Sequence, residues 1–152
     1  MLYLVRHGKA GSRHDWKGPD HERPLSKRGR RQAEGLVDLL AGRNIDVVVS
    51  SPFVRCVETV QPLADKLGLE VEAASGLAEG ASCDEALALV HRLASTTSVL
   101  CSHGDVIGIL LDALAADGID LSSDYPCAKG STWEFQTTDG RISGARYLPP
   151  PS

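Results

Sequence analysis

Leu2-Tyr3-Leu4-Val5-Arg6-His7-Gly8 stands almost at the start of the 152-residue chain. Its apolar run is short, contains Tyr and Val, and is closed by a polar segment with a glycine, features that predict a buried strand. A cation and an imidazole at the mouth of such a strand do nothing for packing, so Arg6 and His7 are candidate functional residues. The pattern recurs downstream. Arg55 follows a β-branched run at Ile45 to Val49, Glu79 follows a weaker strand at Leu69 to Ala73, and His103 follows Ser98 to Cys101.

Helical periodicities lie between these strands. Ser26 is expected to cap a helix that buries Ala33, Leu36, Val37 and Leu40. Ser51 as N-cap and Pro52 at the first helical position open a second, with Phe53, Val57, Val60, Ala64 and Leu67 as its buried stripe and Gly68 as its stop. Ser82-Cys83-Asp84-Glu85 has the form of a capping box. His103-Gly104 leads into a fourth helix through Ile107, Leu110, Leu111 and Leu114. Strand and helix in alternation predict a parallel sheet covered on both faces, an α/β three-layer α/β/α sandwich. Ser131 to Thr137 and Arg141 to Leu148 flank Asp139-Gly140, a hairpin signal that adds an antiparallel edge. A single domain over residues 1–152 is expected, with 149–152 as a solvated proline-rich tail. Lys9 to Pro24 reads as a long irregular loop, of the kind that serves function. Its Trp16 is either a lid against a substrate or a pin for the loop.

An apolar fraction of 42% and a charged fraction of 24% are those of an ordinary globular chain. No apolar run reaches membrane-spanning length, and Arg6-His7 interrupts the first one too early for a secretory signal. Cys56, Cys83, Cys101 and Cys127 are scattered, which predicts free thiols and a cytoplasmic setting. Net charge is −4, yet residues 1–31 carry nine Lys or Arg against three acids. A local positive patch on an acidic body suits a small anionic ligand, and the balance argues against nucleic acid as a partner.

In open α/β sheets, ligands bind beyond the carboxyl ends of the strands. That rule would bring Arg6, His7, Arg55, Glu79 and His103 to one crevice. Two forked guanidiniums can hold the non-bridging oxygens of a phosphoryl group, and a helix N-terminus beside His103 adds backbone donors. An imidazole with one nitrogen free is a competent nucleophile. Glu79 can protonate a leaving oxygen if burial raises its pKa. Neither a metal nor a cofactor is required, since the arginines neutralise the charge, and the histidines and thiols lack zinc spacing.

Leu4-Val5-Arg6-His7-Gly8 resembles the signature of the histidine phosphatase superfamily, which also contains the cofactor-dependent phosphoglycerate mutases. Ser50-Ser51-Pro52-Phe53-Val54-Arg55-Cys56-Val57-Glu58-Thr59 is similar to its second motif and Cys101-Ser102-His103-Gly104 to its third. Arg23-Pro24-Leu25-Ser26, followed by Gly29, is similar to the segment after its first loop. The chain looks most like the short SixA-like branch, and closer still to the histidine phosphatase domain found behind a Nudix domain in actinobacterial MutT-like proteins, which shares a Lys129-Gly130-Ser131-like segment. The resemblance implies His7 as a nucleophile that becomes phosphohistidine. It implies Arg6, Arg55 and His103 as the phosphate pocket and Glu79 as proton donor. Gly8, Lys9, Arg13, Gly104 and Lys129 are candidates for contacts with the rest of the substrate.

The function this implies is a metal-independent phosphomonoester or phosphoramidate hydrolase, acting on a phosphorylated small molecule, a nucleotide or a phosphohistidine protein. Two alternatives share the fold. One is a non-catalytic phosphate-binding module docked on a partner, for instance of Nudix type. The other is a phosphoglycerate mutase-type phosphoryl transferase, disfavoured because short members lack the insertions that enclose a phosphorylated sugar acid. No membrane partner is expected.

Overall fold

The computed structural model describes residues 1–121 and 124–151. Strand and helix alternate as β1 (Leu2–Arg6), α1 (Lys27–Leu40), β2 (Val47–Ser50), α2 (Val54–Leu67), β3 (Val71–Ala73), α3 (Cys83–Leu93), β4 (Ser98–Ser102) and α4 (Gly104–Ala116), followed by β5 (Thr132–Thr138) and β6 (Arg141–Leu148). The six strands form one sheet in the order β3-β2-β4-β1-β5-β6. The first four of these are parallel, and β5 and β6 add an antiparallel edge. Asp139 and Gly140 make the two-residue hairpin with φ of 52° and 75°, the left-handed pair such a tight turn needs.

Side chains alternate across a strand, so each face of β1 feeds a different core. Leu2 and Leu4 join α3 and α4 with Trp133 and Phe135. Tyr3 and Val5 join α1 and α2. The result is the expected three layers. Register then decides where the strands stop. Arg6 pairs with Ser102, and both Val5 and Ser50 pair with Cys101, so β1, β2 and β4 end level. The next residues out, His7, Ser51 and His103, therefore emerge together.

Several boundaries move, each for a local reason. The ladder of β2 starts at Val47, paired with Ser98, two residues later than expected, and β3 shrinks to the three residues that pair with it. α2 begins at Val54 with Phe53 as an N-cap that makes no side-chain bond. Ser51 Oγ, two residues before that N-cap, accepts instead from the Phe53 N–H at 3.2 Å. Ser82 caps α3 as expected, accepting from Glu85 N at 3.2 Å and donating to Glu85 Oε1.

The described tail does not float free in solvent. Pro151 lies against Gly35 of α1, because a proline ring that cannot join a ladder still offers apolar surface to bury. The Lys9–Pro24 loop carries a 3-10 turn at Asp20–Glu22 and a bridge from Ala10 to Leu25. Trp16 donates from Nε1 to the Pro19 carbonyl at 2.9 Å, which pins the loop on itself rather than lidding the crevice.

The loop reaches α1 at Gly29, where an added Cβ would collide with the Lys9 carbonyl oxygen. Alanine normally gains up to about 1 kcal/mol over glycine inside a helix, whereas overpacking against backbone costs ~1–3 kcal/mol. Gly29→Ala is therefore expected to lower stability by about 1–2 kcal/mol in urea unfolding. A midpoint equal to or above that of the wild type would contradict this packing.

Candidate active site

His7 sits at the carboxyl end of β1 with 6% of its surface exposed. Its backbone N–H donates to the Ser102 carbonyl, which continues the β1–β4 ladder by one residue. Its ring Nδ1 lies 2.8 Å from the Gly8 carbonyl oxygen. A carbonyl can only accept, so Nδ1 carries the hydrogen and Nε2 keeps its lone pair. Burial pushes the His7 pKa down to about 3; the Gly8 bond opposes that, and the charges of His103, Arg55 and Arg6 reinforce it. The imidazole is neutral at ordinary pH.

His103 faces it, with ring centroids 5.4 Å apart. The hydroxyl of Ser51 lies 2.8 Å from His103 Nε2. Because Ser51 Oγ already accepts from Phe53 N–H, its own hydrogen is available to Nε2. That places the hydrogen of a neutral His103 on Nδ1, a buried atom with no partner in the protein. The diverted cap therefore serves the site: Ser51 sets which nitrogen of His103 donates. The thiol of Cys56, buried in α2 behind it, lies 3.5 Å from the same Nε2.

Two guanidiniums flank the histidines. Arg6 donates through one terminal nitrogen to the Cys127 carbonyl at 2.7 Å and packs on Gly104, where any Cβ would lie 2.9 Å from its Cζ. Arg55, in the first turn of α2, is 1% exposed and bonds the carbonyl and carboxylate of Asp20 at 3.0 and 3.1 Å. It also lies 5.0 Å over the Phe53 ring. The Nε atoms of both arginines are buried without a partner, as is His103 Nδ1. Buried donors of this kind are costly to leave unmatched, so a cluster of them points to an anionic ligand.

These residues line a cavity of about 370 Å³ together with Glu79, Arg13, Gly104, Lys129, Arg23, Asp105 and Cys127. Of the sequence candidates, Arg6, His7, Arg55, Glu79, His103, Arg13, Gly104 and Lys129 are thus brought together. Two are not. The Lys9 side chain is exposed and does not line the cavity, while its backbone carbonyl accepts from Ser26. The Gly8 N–H is taken by Thr59 Oγ1 at 2.9 Å and is not available to a ligand. Glu79 is present but not enclosed. Its side chain is 40% exposed, with Arg55 and Arg13 each 3.6 Å from Oε1, so the burial expected around it is absent.

Sequence reasoning overlooked Asp20, whose carboxylate ties Arg13, Arg23 and Arg55 together. Burial works against its charge, but the Arg23 bond and the three guanidiniums outweigh that and hold it below the usual carboxylate range. Asp105 was also missed: it accepts from Gly80 N at 2.9 Å and so fixes the turn after Glu79. Arg23 stood in a quoted motif without a role. Nothing in the sequence marks Asp20, since it meets Arg55 only through the fold of the loop.

A neutral imidazole with one bare nitrogen, a second imidazole, the buried Arg55 and the half-buried Arg6 at the end of a parallel sheet define a class, α/β proteins whose crevice suits a phosphoryl group. The profile of the histidine phosphatase superfamily (branch 1) matches residues 2–84, and this chain belongs to that family. It is 37% identical over 155 residues to the 8-oxo-(d)GTP phosphatase of Mycolicibacterium smegmatis, an alignment covering 99% of this chain and 48% of that protein. The chain therefore spans about half the length of that relative. A SixA chain of Nakamurella multipartitia, described as a candidate phosphohistidine phosphatase, superposes with a TM-score of 0.73 at 28% identity, covering 98% of this chain and 93% of that one. The protein histidine phosphatase SixA bound to tungstate gives 0.76 at 20% identity over 99% and 96%, a likeness of fold.

The state of His7 has a consequence for stability. Its folded pKa of about 3 lies below the unfolded value of 6.5. Between those values the unfolded chain takes a proton the folded chain refuses, so this contribution is complete above pH 6.5 and is lost as pH falls toward 3. The slope approaches about 1.4 kcal/mol per pH unit for one proton. His7→Gln should flatten the fall of unfolding free energy between about pH 6.5 and pH 4.5 relative to wild type. Parallel pH profiles for the two proteins would contradict a buried, neutral His7.

Proposed function

We propose that the chain is a metal-independent phosphatase that works through a phosphohistidine on His7. The observation that carries this reading is the hydrogen on Nδ1. With that nitrogen committed to Gly8, the unprotonated Nε2 is the atom left to attack phosphorus. A module that merely bound phosphate would gain nothing from a neutral imidazole placed there.

In this scheme Arg6, Arg55 and His103 Nδ1–H take the three non-bridging oxygens, whose charge must be held as the phosphoryl group passes between partners. The start of α4 at Gly104 adds the favourable end of a helix dipole. Nε2 of His7 forms the N–P bond while the bond to the leaving oxygen breaks, and Glu79 is the cavity carboxylate in position to protonate that oxygen. Water then attacks the phosphohistidine, Glu79 receives its proton, and orthophosphate departs. The guanidiniums supply the charge neutralisation that a divalent ion provides elsewhere, so no step is assigned to a metal. Among the described residues no group of three or more His, Cys, Asp or Glu is arranged to hold one.

Two features support a small phosphorylated metabolite or nucleotide as the substrate. The cavity volume falls in the ~300–1,000 Å³ range of small-molecule sites, and the mycolicibacterial relative is named for a nucleotide substrate. A phosphohistidine protein, as the SixA name implies for that neighbour, is the second reading.

Turnover of an aryl phosphate tests the scheme. Wild type should be active and indifferent to EDTA, and His7→Ala should lose at least ~10³-fold in kcat while melting as a folded protein. Full activity in His7→Ala, or EDTA inhibition reversed by a divalent ion, would reject it.

A further inference from the structure

We infer that Arg13, Arg23 and Lys129 form a second anion subsite at the mouth of the cavity, and that the substrate carries two phosphates in series, as a diphosphate end does. This rests on the phosphatase reading and narrows its substrate class.

The first argument is a surplus of cations. One phosphoryl group offers three non-bridging oxygens, and Arg6, Arg55 and His103 match them. Arg13, Arg23 and Lys129 line the same cavity and remain unassigned. They come from separate segments, the first two from the loop after β1 and the third from the segment that precedes β5. Asp20 and Glu79 offset part of this crowding, but five Lys and Arg side chains against Glu79 and Asp105 leave the lining positive, which favours an anion there. Burial, and then the charges of Arg6, Arg23, Lys9 and Arg13, lower the Lys129 pKa. Lys129 makes no ion pair among the described residues.

The second argument is that these groups are held in place. Arg23 is 8% exposed in its side chain, with Nε on Asp20 at 3.1 Å and one terminal nitrogen on the Gly11 carbonyl at 2.6 Å. Arg13 rests between Asp20 and Glu79 at 3.5 and 3.6 Å. Lys129 is carried by a turn in which Gly130 (φ 84°) donates to the carbonyls of Arg6 and His7. The turn hangs directly from the nucleophile's own backbone.

The leaving group supplies the third argument. An alkoxide needs a good proton donor, and Glu79, a cavity carboxylate beside the guanidiniums of Arg55 and Arg13, is 40% exposed. A phosphate departs as a stable anion and needs far less help. In the diphosphate step, His7 Nε2 bonds to the terminal phosphorus as the bridging P–O bond breaks. The electron pair stays on the inner phosphate, which leaves as a monoester held by Arg13, Arg23 and Lys129. Water then displaces the imidazole, releasing orthophosphate.

Calorimetric titration of the wild-type chain with methylenediphosphonate and with methylphosphonate, neither hydrolysable, tests the subsite. The diphosphonate should bind at least about tenfold tighter. That ratio should fall several-fold in Lys129→Met and in Arg13→Gln, both exposed positions, and persist in Lys66→Met, an exposed position in the last turn of α2 that does not line the cavity. Equal affinity in wild type, or the same fall in Lys66→Met as in the other two, would overturn the subsite. Aryl phosphate turnover separates the two claims. Activity without the tenfold ratio refutes the subsite alone, and the ratio without activity refutes the phosphatase reading while the subsite stands.

Discussion

The 2.8 Å hydrogen bond from His7 Nδ1 to the Gly8 carbonyl is the interaction on which the rest of the site depends. It joins a side chain to the backbone of the very next residue, so it holds whenever the strand ends as it does. Burial keeps the imidazole neutral, and the bond decides which nitrogen stays bare. A mirror of the arrangement serves His103, where Ser51 engages Nε2 and leaves Nδ1 to donate. One imidazole is left with a bare nitrogen and the other with an N–H, by two different hydrogen bonds.

Sheet register makes this local chemistry collective. β1, β2 and β4 end at one level, and each hands its next residue to the same crevice. Helix starts complete it: α2 turns Arg55 inward, and α4 begins at Gly104, where a larger residue would press on Arg6. The long loop adds Asp20, a carboxylate that holds three guanidiniums close together. Coulomb repulsion among those cations is offset by one internal anion, and its pull on the loop ties the rim of the cavity to the buried Arg55.

The alternation of strand and helix, the layers, the antiparallel edge and the meeting of Arg6, His7, Arg55 and His103 at one cavity were legible because they rest on patterns of short range: apolar runs, caps and the Asp139-Gly140 turn. The buried stripe of α2 was legible only in part. Val60 and Ala64 are buried as expected, but Phe53, Val57 and Leu67 are only half-buried, whereas Arg55, Cys56, Thr59 and Leu63 also face inward. Function rotated that helix, spending buried positions on a guanidinium and on a hydroxyl that braces Gly8. Ser51 was read as a helix cap for the same reason, since a serine before proline looks alike whether its oxygen serves a helix or an imidazole. Asp20 and the open setting of Glu79 depend on how a sixteen-residue loop, Lys9 to Pro24, folds, and no periodicity reports that.

The claim at the centre is that phosphorus becomes bonded to Nε2 of His7. Rapid quenching of wild type during turnover of an aryl phosphate, under alkaline conditions that spare phosphohistidine, followed by peptide mass spectrometry, tests it directly. The account predicts a phosphoryl group on His7 that forms and decays at rates sufficient for turnover. Turnover with no phosphoprotein at any time, or with the phosphoryl group on another residue, would contradict it.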